Sequence, residues 1–442
     1  MTTSPEAKPP MTWKNVAAGA IGNGFEFYDF MIYSFFAIQI GKAFFPASDS
    51  YGSLMMSLAT FGAGFISRPL GGIILGLYSD RAGRRKAMMV SYVLMGASTL
   101  IIALIPTYTS IGLASTVLIV CARLLQGFSV GGAVGPNAAF LMEAAPFRSR
   151  GFVVSFQAAS QFVATTFGGI VGLVLSLLLT TEQIADFGWR IAFLLGSIAL
   201  PFGIWIQHNV SETLNFDAPK PVTEQERYND AHPIRSNLRL IVVGLMAQAV
   251  GPIVAYVFAY FATFSQQTLE ISARTTFAVA TVGNIASGCA VLLGGWLSDR
   301  IGRRPVMIGA NMVNLLLVYP TFLWMVEART ATSMLVYLAV QSIGMMPFGV
   351  LTTTLTESLP AKVRGTGFSV IYATSVAVFG GTCQLVITWL IHVTGNPVAP
   401  AWYLLGALFV GQIAFFFLPE SAPVRLQKKA AAAAEPSALP FT

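Results

Sequence analysis

Four ionisable residues stand well inside apolar runs: Glu26 and Asp29 in the first run, Arg68 in the second and Arg123 in the fourth. A charge at a helix centre in a bilayer costs at least ~2.5–3.5 kcal/mol on insertion scales, so such groups pair or line a cavity. A guanidinium keeps its proton and grips a carboxylate through two parallel hydrogen bonds. A carboxyl group with little water around it favours its neutral form and can carry a proton. One reading therefore has Glu26 and Asp29 carry a proton while Arg68 and Arg123 hold an anion. The other makes each acid a plain counter-charge that locks helices together. Asp80 marks the end of the second run and Lys14 the start of the first, so Arg68 and Glu26, each 12 residues away, lie ~18 Å deep at 1.5 Å per residue. That is near the middle of a hydrocarbon core about 30 Å thick. Arg123, 20 residues before Glu143, falls toward the opposite face.

A second set of charges lies in short turns. Gly76–Lys86 reads GLYSDRAGRRK, and the pattern returns 219 positions later as GGWLSDRIGRR. Asp80, Arg81, Arg84 and Arg85 thus correspond to Asp299, Arg300, Arg303 and Arg304. Each copy is followed by a second motif, in which Glu143, Pro146, Arg150 and Gly151 match Glu357, Pro360, Arg364 and Gly365 at an offset of 214. Two patterns in the same order at nearly the same offset indicate an internal duplication. A topological bias toward bases would explain the arginines alone. It does not explain an Asp and a Glu at fixed places among them.

These residues need long apolar elements to position them. The chain has 442 residues, 55% of them hydrophobic and 10% charged, against about 25% charged in soluble domains. Runs suited to spanning helices fall near 15–40, 54–78, 87–105, 112–142, 152–179, 189–207, 239–265, 276–297, 305–326, 333–356, 366–392 and 401–418. The expected architecture is an all-α polytopic membrane protein with twelve transmembrane helices in two pseudo-symmetric six-helix bundles. Its units would be 1–207, a polar linker at 208–238, 239–419, and a disordered Ala/Pro-rich tail at 420–442. With those spans, 20 of the 26 Lys and Arg residues fall on one side, four on the other and two within spans. Basic loops mark the cytoplasmic face, which places both termini and the linker there. The net charge of +7 then reports topology and not nucleic-acid binding. No cleaved signal peptide is expected, because residues 1–10 hold no apolar core. Cys121, Cys289 and Cys383 sit far apart in apolar runs and read as small buried hydrophobes. No nucleophile–base set, metal-ligand cluster or phosphate loop stands out, so neither an enzyme nor a metal or other cofactor is expected. His208, His232 and His392 lie at span ends or in the linker and read as solvated.

The charged turns resemble the signature of the major facilitator superfamily, G-x-x-x-D-R-x-G-R-R between spans two and three with a pseudo-repeat between spans eight and nine. GNGFEFYDF (Gly22–Phe30), SRPLGG (Ser67–Gly72), RLLQGFSVGG (Arg123–Gly132) and FGWRIAF (Phe187–Phe193) are similar to the metabolite–proton symporter group, which takes up organic acids and zwitterionic osmolytes. GFVVSFQAASQ (Gly151–Gln161), SDRIGRRPV (Ser298–Val306) and GFSVIYATSVAVFGG (Gly367–Gly381) look most like the citrate–proton symporters. The similarity runs from about Trp13 to about Pro419.

The resemblance implies proton-coupled uptake of a small organic anion, foremost a tricarboxylate such as citrate, by a monomer in a bacterial inner membrane. Proton coupling would fall to Glu26 and Asp29, and substrate binding to Arg68, Arg123, Gln157, Gln161, Gln248, Asn284 and Gln384. Asp80, Arg81, Arg84, Arg85, Glu143, Arg150, Asp299, Arg300, Arg303, Arg304, Glu357 and Arg364 would form cytoplasmic ion-pair clusters that hold the inner side shut. One departure bears on substrate identity: many members of the group carry Glu where this chain has Ala133. A symporter for another carboxylate or for proline or betaine is the nearest rival. A drug–proton antiporter fits less well, because span five lacks the Gly-Pro signature. The second half carries no mid-span charge, only neutral groups such as Gln248, Asn284, Asn311, Asn314, Gln341 and Gln384.

Overall fold

The structure is a computed structural model that describes residues 13–46, 50–213, 235–360 and 363–427. Most of the expected linker (214–234) and the end of the tail (428–442) lie outside the described residues. Every regular element among the described residues is helical. The long ones are α1 (Trp13–Phe35), α2 (Ser50–Ala82), α3 (Arg84–Leu104), α4 (Leu113–Ala144), α5 (Arg150–Leu178), α6 (Ile184–Asn209), α7 (Arg235–Gln267), α8 (Ala273–Ile301), α9 (Arg303–Ala328), α10 (Ala331–Ser358), α11 (residues 364–394) and α12 (Ala399–Phe417).

Eleven of these are long and apolar enough to cross a membrane on composition alone. The remaining one, α1, has 23 residues and so spans about 34 Å. Its two mid-helix carboxylates, Lys14 and two asparagines lower its hydropathy, and it packs as a full member of the bundle. The twelve-helix expectation is met, with one adjustment. The first span ends at Phe35, and after a break at Phe36 the chain continues as a short helix, Ala37–Phe44. Large apolar side chains such as Ile66, Val163, Leu177, Leu316 and Trp389 face outward. Glu26, Asp29, Arg68, Arg84, Arg123 and Arg303 are buried. This is the reverse of a soluble surface, as expected where lipid surrounds the helices.

Packing repeats between the halves. Helix α2 lies on α4 as α8 lies on α10, and α3 on α4 and α6 as α9 on α10 and α12. The halves meet through a reciprocal exchange: α5 packs on α8 and α10, and α11 packs on α2 and α4. Among these contacts α2 against α4 is especially close, and small residues permit it. A Cβ at Gly127 would run into the Gly64 backbone, and one at Gly131 into the backbone of Arg68. The close approach fixes Arg68 and Arg123 on adjoining backbones.

Gly131→Ala should therefore force α2 and α4 apart, an overpacking cost of about 1–3 kcal/mol. Thermal unfolding of the purified protein in detergent should show a lowered Tm. Gly62→Ala is the control, since its Cβ would meet nothing within 4 Å, and its Tm should stay at the parental value.

Candidate functional site

The four mid-span charges converge. Glu26, Asp29, Arg68 and Arg123 line one small cavity, together with Gln126 and the rings of Phe30, Phe61 and Phe65. Helix α1 contributes both acids from positions three apart, which fall on one face. Helix α2 contributes Arg68 and α4 contributes Arg123 and Gln126.

The arginines rest on aromatic faces. The Arg68 guanidinium carbon lies 4.3 Å from the Phe65 ring centre and 5.6 Å from that of Phe30. The Arg123 carbon lies 4.0 Å from the Tyr33 ring and 5.3 Å from that of Phe61. A ring face holds a cation while leaving its N–H edges available. Tyr256 from α7 closes the cluster from the second half, with its ring 5.9 Å from both Phe30 and Phe65.

The acids are held loosely. Asp29 Oδ2 is 3.9 Å from the nearer Arg123 nitrogen, beyond hydrogen-bond length. Gln126 bridges the two, donating to Asp29 and accepting from Arg123, and it also donates to Thr99 at 3.0 Å. Glu26 lies in the field of Arg68 without an ion pair closer than 4 Å among the described residues. One buried oxygen of each acid, Glu26 Oε2 and Asp29 Oδ1, has no hydrogen-bond partner among the described residues. Sequence reasoning missed Gln126, Tyr33 and the phenylalanine floor. The spacing of Gln126 three residues after Arg123, one helical turn on, was the available signal for the first.

The amides expected at the substrate site are placed differently. The Gln157 amide donates to the Val134 carbonyl at 3.2 Å, while the main-chain carbonyl of Gln157 accepts from Asn23 at 2.7 Å, so this residue ties α5 to α1 and α4. Gln161, Gln248 and Asn284 are not among the residues lining the cavity. Gln248 is fully buried with both amide atoms unpartnered among the described residues. The side chain of Gln384 lies outside the described residues.

The charged turns form two copies of one cluster. Arg84 is fully buried and reaches Asp80, Ser79 Oγ at 3.1 Å and Glu143 at 3.3 Å. Arg303 reaches Asp299 at 2.7 Å, Ser298 Oγ at 2.7 Å and Glu357 at 3.2 Å. The turns open with Gly83 and Gly302 at φ 109° and 115°, a region nearly closed to other residues. Glu212 then accepts from the Arg84 and Arg85 N–H groups at 2.9 and 3.2 Å, and Glu420 from those of Arg303 and Arg304 at 2.9 and 3.1 Å. Thr213 and Ser421, the next residues, donate to Glu143 and Glu357. These four post-span residues were not singled out from sequence.

Each cluster also crosses to the other half. Asp80 accepts from the Gly365 and Thr366 N–H groups at 3.0 and 2.9 Å and from the Thr366 hydroxyl at 2.6 Å. Asp299 accepts from the Gly151 and Phe152 N–H groups at 2.9 and 2.8 Å. Each carboxylate thus caps the positive end of an opposing helix, α11 or α5. Arg364 adds a bond to Glu143 at 3.2 Å. The basic end of the molecule is therefore shut between halves.

Not every expected gate residue joins the clusters. Arg85 and Arg304 donate instead to the Val210 and Phe416 carbonyls at 3.2 and 2.6 Å, at the ends of α6 and α12. Arg150 lies 5.0 Å over Phe147. Arg300 lies 3.8 Å over Trp296, and Arg81 is exposed. The latter two are exposed, and among the described residues neither makes an ion pair within 4 Å.

Two repeated six-helix halves, a buried charged cavity and a shut basic end are the architecture of a membrane transporter that exposes its site to one side at a time. Residues 16–228 match the family described as Sugar (and other) transporter, and residues 240–442 match the Major Facilitator Superfamily. The chain is 36% identical over 409 residues to a citrate-proton symporter of Salmonella typhi, covering 91% of this chain and 94% of the relative. It is 29% identical over 425 residues to the proline/betaine transporter of Escherichia coli (strain K12), covering 92% and 84%. Among solved structures, the proton:xylose symporter XylE bound to 6-bromo-6-deoxy-D-glucose matches with a TM-score of 0.78 at 19% identity, covering 93% of this chain and 96% of that one. The chain belongs to the major facilitator superfamily.

The latch geometry gives an ordered expectation. Asp80→Asn and Asp299→Asn each turn charge-assisted bonds across the halves, worth roughly 1.5–3 kcal/mol apiece, into neutral ones worth about 0.5–1.5 kcal/mol. Asp80 makes three such inter-half bonds and Asp299 two. Asp80→Asn should open the basic end more than Asp299→Asn. Labelling of a cysteine at Ser369, buried on α11 against Gly72 of α2 and Gly135 of α4, in a background without Cys121, Cys289 and Cys383, reads the order. Equal and parental labelling in both variants would leave these turns a purely topological role.

Proposed function

We propose that the chain imports a small organic anion together with protons, with a tricarboxylate such as citrate as first candidate. The observation that carries this reading is the cavity where two arginines on aromatic platforms face two loosely held carboxylates. The guanidinium edges suit substrate carboxylates, and Glu26 and Asp29 suit the coupled protons. The similarity to a citrate-proton symporter along nearly the whole chain supports the substrate class. The match to a proline/betaine transporter supports a zwitterion as the alternative, since one carboxylate would still need one arginine.

In this reading the basic end is cytoplasmic, and the inter-half bonds of Asp80 and Asp299 hold it closed while the cavity can be reached from outside. Residues 1–207 and 239–419 act as the two rocking bodies, joined by 208–238. The protein works as a monomer in the bacterial inner membrane, with both termini inside. Alternating access about a mid-membrane site is the mechanism that such repeats serve. Loss of a proton by Glu26 or Asp29 would restore the counter-charge of an arginine and release the anion.

Arg68→Lys keeps the charge but loses the planar fork. Citrate affinity should fall by one charge-assisted hydrogen bond, roughly 1.5–3 kcal/mol or about 10- to 150-fold. Arg123→Lys should fall similarly if it too grips substrate. Counterflow of labelled citrate in proteoliposomes at low pH, with proline as competitor, measures both. Parental affinity in both variants, with competition by proline, would favour the zwitterion.

A further inference from the structure

The charges in the cavity count out the transported species. Resting on the anion–proton reading above, we infer that the substrate travels as a dianion with two protons, in an exchange that leaves the charge of the site unchanged. Two guanidiniums and two carboxylates line the one cavity, so the empty site sums to zero. Two protons neutralise Glu26 and Asp29, and a dianion then replaces them opposite Arg68 and Arg123. The loaded site again sums to zero. With the same two protons, a trianion would leave one negative charge in the membrane interior and a monoanion one positive charge. Either is costly where the dielectric is low.

The geometry supports two independent proton positions. Glu26 lines the cavity with Arg68, and Tyr92 and Tyr372 lie within its electrostatic reach. Asp29 faces Arg123, Gln126, Thr99 and Tyr28. Each acid belongs to its own arginine, and neither is locked into a close pair. Each also has one oxygen that is buried and unpartnered among the described residues, where a proton can be added without breaking a bond. The arginines keep their aromatic platforms throughout, so releasing the acids does not release the cations.

The balance has an electrical consequence. Neither the loaded nor the empty site carries net charge across the membrane, so uptake should ignore the membrane potential. It should follow the square of the proton gradient, because each of two protons contributes tenfold per pH unit. Proteoliposomes holding the full chain test this, with labelled citrate, tricarballylate and malate as separate probes. One arm imposes a one-unit pH gradient at zero potential. The other imposes a potassium diffusion potential with valinomycin at equal pH. We expect about 100-fold accumulation of the dianion in the first arm and none in the second. Glu26→Gln and Asp29→Asn should each lower the ratio to about tenfold and make uptake respond to an inside-positive potential. Wild-type accumulation driven by an inside-negative potential, or a tenfold wild-type ratio, would overturn the two-proton dianion and leave proton symport standing. Neither accumulation nor counterflow of any of the three probes would overturn the anion reading itself. The wild-type arms decide the matter even if the variants do not fold.

Discussion

A charge inside a bilayer is tolerated only beside a counter-charge, a dipole or an aromatic face, and this molecule uses all three. Arg68 and Arg123 lie on rings, with acids nearby but not closely bonded. Arg84 and Arg303 are fully buried at the basic end and take two carboxylates each. Asp80 and Asp299 serve an arginine of their own half and a helix end of the other. The contrast between these arrangements separates a site from a latch. Where pairing is loose and a cavity adjoins, partners can be exchanged. Where pairing is saturated, the partners can only hold or part.

The two halves share their contacts but not their charges. Helix pairings and the turn clusters repeat with an offset of six helices, down to Thr213 and Ser421 on Glu143 and Glu357. Yet the mid-membrane acids and arginines all belong to the first half. The second half sets Tyr256 against Phe30 and Phe65 of the cavity and buries neutral amides such as Gln248, Asn314 and Gln341. A duplicated frame thus carries a site that is not duplicated. Movement can be symmetric while the chemistry stays on one side.

Much of the frame was legible in the sequence because its signals are local. Apolar runs of bilayer length define the helices, and a repeated Asp-Arg-x-Gly-Arg-Arg defines the turns. Mid-span charges stand out because they are costly, so the residues of the cavity were visible one by one. Their partners were not. Tyr33, Phe61 and Phe65 are ordinary residues in an apolar helix, and nothing in their spacing tells a platform from core. Gln126 acts through Asp29, 97 positions away. Glu212 and Glu420 look like polar residues after a span until the fold brings them to Gly83 and Gly302. Arg81 and Arg300 are the converse case. They share a motif with Arg84 and Arg303, but each stands one residue after the clustered Asp80 or Asp299, about 100° round the helix, and is exposed.

The aspartates at the basic end bind main-chain N–H groups at Gly151, Phe152, Gly365 and Thr366. Every amino acid except proline offers that group, so Phe152 is held without regard to its side chain, whereas Thr366 adds its hydroxyl. At Gly365 a Cβ would stand 2.7 Å from an Arg84 nitrogen and 2.9 Å from Asp80. What that position must supply is the absence of a side chain. The rim that receives the latch is free to vary at Phe152, and its partner aspartate is not. A lineage could change the cavity, and with it the cargo, without having to reinvent how the two halves close.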